Sequence, residues 1–330
     1  MAQRVGRHLI AALLAPVVLL AVIGCGDSGP PAPDGPLAEA LAEIGGGGEH
    51  GSTGVGWTEP RLARGAGVSP ELMADALGPN AQSVVETAPE LRRRFGLDPL
   101  SAQRLVSVGG SYAFGLRLDG IDGSRLRAAL LRAGGRPKPG DGVDLVDVAG
   151  YAQVPQPLLR AGVFGLGARD AFRPDFTVLS ISANARATLL GRNGGLLIEQ
   201  PIYRAAADCL GDVVAARMIP ERLVLSVEVG IELVAVGIAR DREVLCVLGG
   251  TGEQGRDTAA GLRASLIPGA RDPRTGEPIS QLIEPGAKVE ASSYEDVDVV
   301  RAEVVPVAGR EGFFFGAIHR GSLLQMLSAQ

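Results

Sequence analysis

The 330-residue sequence predicts an α+β fold built mainly on antiparallel sheet with packed helices, and three observations point there. Strand-like segments 231–239 and 243–248, and again 287–294 and 297–305, are joined by connections too short for a crossover, so each pair runs antiparallel. Helix signals are scattered between strand patterns without the regular succession of a doubly wound sheet. Hydrophobic residues make up 46% of the chain and charged ones 21%, enough apolar material for a large core. Intrinsic disorder, collagen and a disulfide miniprotein are thereby excluded for the bulk of the chain. Aromatics number only 1 Trp, 4 Tyr and 8 Phe, so Ala, Val, Leu and Ile must fill the interior.

The elements follow in order. A short helix over 37–44 and a strand over 53–58, carrying the single tryptophan Trp57, come first. Ser69-Pro70 places an N-cap and N1 residue, Pro89 to Phe95 is closed by Gly96, and Asp98-Pro99 opens another helix; together these form a helical lead-in. Strands are then predicted at 112–118, 143–148 and 176–181, with a helix capped by Ser124 through Leu131 and one capped by Ser182 through Leu190. Pro201 opens the longest helix pattern, to about Met218, with Pro220 as its stop. The first hairpin turns at Arg240-Asp241-Arg242, a helix is expected at 256–266, and the second hairpin turns at the acidic Glu295-Asp296. Phe313-Phe314-Phe315 reads as a buried strand, the alternative being an exposed contact patch for lipid or a partner.

One pattern recurs. Arg127-Ala128-Ala129-Leu130-Leu131, Arg186-Ala187-Thr188-Leu189-Leu190 and Arg263-Ala264-Ser265-Leu266-Ile267 share Arg-Ala-small-Leu-aliphatic, and the first and third extend to 126–137 and 262–273. A repeated strand-turn-helix unit accounts for this, with the leucines facing a sheet; coincidence in an Ala/Leu/Arg-rich chain is the alternative.

The N-terminus is the most specific feature. Arg4 and Arg7 precede 15 consecutive apolar residues, 9–23, a run short of the roughly 20 that a transmembrane helix needs and suited to a signal-peptide h-region. It ends in Val22-Ile23-Gly24-Cys25, which resembles the lipobox of bacterial lipoproteins. That resemblance implies cleavage after Gly24 and acylation of Cys25, leaving a lipid-anchored protein on the extracytoplasmic face of the cell membrane. An uncleaved anchor with an incidental thiol is the alternative. The style of the remainder is similar to many uncharacterised envelope lipoproteins of high-GC Gram-positive bacteria. The expected organisation is a signal peptide at 1–24, a lipidated tether at 25–36, a helical lead-in plus first α+β part at 37–198, and a second α+β part at 199–330. The polar Gly/Pro-rich segment after Cys25, residues 26–36, reaches at most about 36 Å when extended.

Charge narrows the function classes. The chain carries 32 basic and 37 acidic residues; removal of Arg4 and Arg7 with the signal leaves 30 against 37, or −7. Only Lys138 and Lys288 are lysines, and the arginine excess beside 47 glycines is attributed to GC-rich codons. An acidic chain with no basic block lacks the positive face that nucleic acid requires.

Export places the two remaining cysteines, Cys209 and Cys246, in an oxidising compartment, where they are expected to pair; two independent buried thiols are the alternative. For catalysis the signals are bland. His50 and His319 stand without metal-binding spacing, and His319 reads as an ordinary histidine rather than an isolated base. Neither a Gly-x-Ser-x-Gly elbow nor a Ser-x-x-Lys is found, and Gly249-Gly250-Thr251-Gly252 lacks the order of a phosphate loop. Asp141, Asp144 and Asp147, and Glu295, Asp296 and Asp298, read as solvated acids rather than a calcium loop. No cofactor or metal is expected. The sequence therefore predicts a non-enzymatic binding or interaction protein of the cell envelope, with an envelope protein or small apolar ligand as partner. A solute- or lipid-binding lipoprotein and an extracytoplasmic hydrolase are the alternatives.

Overall fold

The computed structural model describes residues 34–46, 54–109, 114–148, 168–220, 230–249 and 252–328. Cys25, the expected signal peptide and most of the tether lie outside the described residues, as does His50. Among those described, the fold is α+β with eleven α-helices around one antiparallel sheet of twelve strands.

In chain order the first part contains α1 (Pro36–Leu41), β1 (Val55–Thr58), α2 (Pro60–Gly65), α3 (Pro70–Leu77), α4 (Ala81–Glu86) and α5 (Ala88–Phe95). Then come β2 (Arg104–Val108), β3 (Gly115–Asp119), α6 (Ser124–Arg132), β4 (Arg136–Lys138), β5 (Asp144–Asp147), β6 (Arg169–Phe172), β7 (Phe176–Ser180) and α7 (Ala183–Leu189). The remainder is α8 (Pro201–Leu210), β8 (Ala215–Pro220), β9 (Leu233–Ile238), β10 (Glu243–Leu248), α9 (Gly252–Ser265), β11 (Lys288–Tyr294), β12 (Val297–Val304), α10 (Phe313–Arg320) and α11 (Ser322–Ser328).

The sheet order is β11-β12-β10-β9-β8-β1-β2-β3-β7-β6-β5-β4, so strands from both chain halves share one sheet and meet where β1 pairs with β8. Opposed residues of antiparallel neighbours share a face. The row Leu105, Thr58, Ala215, Ile238 therefore marks one face and Val106, Trp57, Ala216, Gly237 the other. On the Trp57 face α1, α7 and α8 pack through Leu41, Leu189 and Tyr203. On the opposite face α6 buries Leu126 and Leu130, while α9 buries Leu262 and Leu266. Between them α3 contributes Met73 to one of these clusters and Leu77 to the other, bridging the centre of the sheet.

The strands reveal a repeat in topology. β1-β2-β3-α6-β6-β7 and β8-β9-β10-α9-β11-β12 each make a three-stranded meander, a helix on the same face, and two further strands added beside the third. The first and third copies of the Arg-Ala-small-Leu-aliphatic pattern fall on α6 and at the end of α9, the equivalent helices; Leu130 and Leu266 are buried as expected, whereas Leu131 is half-buried and Ile267 is exposed. The second copy lies on α7, which packs on the Trp57 face and has no place in this equivalence.

Several local expectations need correction. The helix from Pro201 ends at Leu210 because Gly211 takes φ 64°, a conformation that stops the helix, and residues 215–220 instead form β8 in mid-sheet. Asp98-Pro99 opens only one 3₁₀ turn, Pro99–Ser101, capped by Asp98 Oδ1 accepting from Leu100 N at 3.2 Å, before β2 begins. The strands β2, β4 and β6 were not foreseen. Ser124 is the first helical residue, and its N–H is capped by Asp122 Oδ1 at 2.9 Å. Phe313, Phe314 and Phe315 are buried as expected but open helix α10. The cause is remote: Glu243 of β10 accepts from the Gly312, Phe313 and Phe314 N–H groups at 2.5, 3.1 and 3.0 Å, satisfying donors that a helix start leaves free. Burial pushes the Glu243 carboxyl pKa up, and these three donors offset that only in part.

Candidate functional site

At the centre of the sheet, β1 presents Gly56 between Ser107 of β2 and Arg217 of β8. A Cβ on Gly56 would lie 2.5 Å from Ala76 O, Leu77 Cα and Ser107 Oγ, so only glycine lets the C-terminal turn of α3 rest on the strands here. Ser107 Oγ donates to Leu77 O at 2.6 Å, fixing that turn. The gap beside it is a cavity of about 130 Å³ walled by Gly54, Gly56, Gly78, Asn80, Ser107 and Arg217.

Arg217 carries the charge of this site. Its Nη1 donates to Asp75 O of α3 at 3.5 Å and approaches His319 Nε2 of α10 at 3.2 Å. His319 Nδ1 lies 3.8 Å from Asp75 Oδ1. A guanidinium has no acceptor, so the Arg217 contact requires Nε2 of His319 to be the accepting nitrogen and assigns the proton to Nδ1, on the Asp75 side. Among the described residues no carboxylate forms an ion pair with Arg217. Burial pushes the Arg217 pKa down from its ordinary value, and Asp75 only partly offsets this. The guanidinium is held from α3 and α10, and Arg217 forms part of the cavity wall.

Chemically, the arrangement offers directed donors on a positive charge. A nucleophile needs a base within hydrogen-bond reach. Here the Ser107 hydroxyl is committed to Leu77 O, and His319 Nε2 is engaged by Arg217.

The remaining sequence-derived candidates lie elsewhere. Cys209 of α8 and Cys246 of β10 form a disulfide, with Cα atoms 6.3 Å apart, that fastens α8 to the Trp57 face. Gly249 ends β10, while residues 250 and 251 lie outside the described residues. Asp144 is exposed, but Asp147 is not the solvated acid expected. It is buried against Lys138 Nζ at 2.5 Å, Arg186 Nη1 at 2.7 Å and Arg169 Nη1 at 3.7 Å. Burial works to raise the Asp147 pKa, yet Lys138 and Arg186 outweigh it and hold the carboxyl below its ordinary range. Glu295 of the acidic turn pairs with Arg204 at 2.7 Å.

A second ionic cluster was invisible in the sequence. Asp119 accepts from Arg104 Nε and Arg117 Nε, each at 2.6 Å, while Glu43 meets Arg104 at 2.8 Å and Arg117 at 2.5 Å. Arg117 also lies over the Phe176 ring at 4.6 Å. Burial works to raise the Glu43 pKa, but Arg104 and Arg117 leave it lowered. With two cations and two anions closed on themselves, this cluster is a fastening. Asp272, fully enclosed, accepts from Arg274 N and Thr275 N and meets Arg320 at 3.3 Å.

Among the described residues, no group of three His, Cys, Asp or Glu side chains could hold a metal ion, and no helix is long and apolar enough to cross a membrane. Arg217 is hidden in the sequence because the pattern opened by Pro201 reads as helix to about 218. Gly211 was the signal that separates helix from strand there. Set against protein-family models, curated proteins and solved structures, the chain matches none of them.

Proposed function

We propose that this is a lipid-anchored binding protein of the cell envelope, exported to the extracytoplasmic face and held there through Cys25, without catalytic activity of its own. The observation that carries the proposal is the Cys209–Cys246 bridge, which is buried and joins elements far apart in the chain. Such structural bridges form and persist in oxidising compartments. The Val22-Ile23-Gly24-Cys25 sequence supplies the matching route of export and attachment, by its resemblance to a lipobox. The central cavity supports binding over hydrolysis, since the Ser107 hydroxyl in its wall and the His319 imidazole beside Arg217 are each engaged by other partners.

Mass spectrometry of the protein isolated from its own host membranes tests this. The expected product begins at an acylated Cys25 and lacks residues 1–24. A chain beginning at Met1, or an unmodified Cys25, overturns the anchoring.

A further inference from the structure

We infer that the cavity over the sheet centre is a subsite for a small oxyanion, a carboxylate or phosphate group seated on the Arg217 guanidinium. The inference rests on the proposed binding role and names its ligand chemistry. Three features carry it. The first is charge. Arg217 is half-buried without an ion-pair partner among the described residues, whereas the half-buried Arg104 and Arg117 and the buried Arg186 each meet a carboxylate within 2.8 Å. The C-terminal carbonyls of α3 present about half an elementary charge at most, and the one that Arg217 meets is 3.5 Å away. A half-buried cation that faces one main-chain carbonyl and the Asp75 carboxylate, without a closed ion pair, favours an anion that enters beside it.

The second feature is position. Contacts from Nη1 to Asp75 O and His319 Nε2 hold the guanidinium in the wall of the cavity, which leaves Nε and Nη2 as donors for a ligand. The third is size. At about 130 Å³ the cavity falls below the roughly 300–1,000 Å³ of pockets that enclose a drug-sized ligand. It therefore takes one anionic group, either free or as the end of a longer ligand. Gly54, Gly56 and Gly78 leave part of its wall without side chains, so that group can approach main chain as well as Arg217.

The test is a titration of detergent-solubilised full-length protein with sodium acetate and, separately, inorganic phosphate, at ionic strength held constant with chloride. Side-chain Nε–H resonances of ¹⁵N-labelled arginine report the result, with Arg217 assigned through Arg217→Lys. Saturable displacement of the Arg217 resonance is expected, by acetate for a carboxylate subsite or by phosphate for a phosphate subsite. Arg217→Met should weaken binding at least tenfold. Lack of saturation with both anions, an equal response to chloride alone, or unchanged affinity in a folded Arg217→Met overturns the inference. Because the wild-type resonance is itself a readout, a misfolded variant does not remove the test. Loss of anion binding in a protein correctly acylated at Cys25 sinks the subsite alone. Saturable anion binding by a protein lacking the acyl group sustains the subsite while the anchoring falls.

Discussion

The two halves of the sheet share a plan and are fastened by different chemistry. In β1-β2-β3-α6-β6-β7 the Trp57 face is tied by charge: Glu43, Arg104, Arg117 and Asp119 lock onto one another, and Asp147 gathers Lys138, Arg169 and Arg186. In β8-β9-β10-α9-β11-β12 the same face adds a covalent tie, Cys209–Cys246, to the pairs Arg204–Glu295 and Arg301–Glu303, and the opposite face is held by apolar contacts of α9, α10 and α11. One topological unit therefore tolerates either solution, because antiparallel pairing fixes the backbone and leaves the fastening to whichever side chains lie above it. The halves also differ in their first connection. Residues 59–103 of the first half carry α2 to α5, and this excursion lays α3 across β1 and β8. The Arg217 cavity exists because that inserted helix from one half meets the first strand of the other.

The comparison can be broken at the covalent fastening first. Replacing Cys209 and Cys246 together by alanine should lower unfolding free energy by about 4 kcal/mol in denaturant titration, from the loop of unfolded chain that the bridge closes. A loss under about 1 kcal/mol would place the fastening of the second half in its apolar contacts instead. Next, the equivalence of α6 and α9 predicts that Leu130→Ala and Leu266→Ala, both at buried sites facing the sheet, each cost about 3 kcal/mol. A twofold difference between them would show that the two helices carry unequal shares of the core.

The smallest effect sharpens the role of Glu243. Because its pKa in the folded protein is raised, its contribution to stability is present in full below the unfolded value of about 4.3 and is lost as pH rises through the folded value. Glu43, Asp147 and Asp272 are lowered and act with the opposite sign: their contribution is present above the unfolded carboxylate range and is lost as pH falls through their folded values. Comparing wild type with Glu243→Gln isolates the first. Relative to the variant, the wild type should lose stability as pH rises from 4 to 7, read from thermal melts at each pH. Parallel pH curves would remove Glu243 as the group responsible.

Much of the fold was legible in local patterns. The two hairpins, the Ser69 and Ser182 caps and the Gly96 stop all depend on residues within a few positions of each other, and all are present. What was missed depends on remote partners. Phe313, Phe314 and Phe315 form a helix because a carboxylate 70 residues earlier accepts from the first turn. Asp147 leaves solvent because strand pairing and α7 bring three cations to it. The cavity was illegible for the same reason, since Asp75, Arg217 and His319 meet only once α3, β8 and α10 have converged.

By itself, the sequence determined the α+β class and the antiparallel hairpins, since both are written in spacing, composition or short-range hydrogen bonding, and it pointed to the paired cysteines and to a likeness between α6 and α9 that the fold then settled. The tertiary structure alone decided that β1 and β8 join two similar units into one sheet, that an inserted helix crosses the seam, and that Arg217 lies beneath it without an ion-pair partner among the described residues. The physical reason is that local conformational preference acts over a few residues, whereas burial and electrostatic compensation are properties of groups that meet only after the chain has folded.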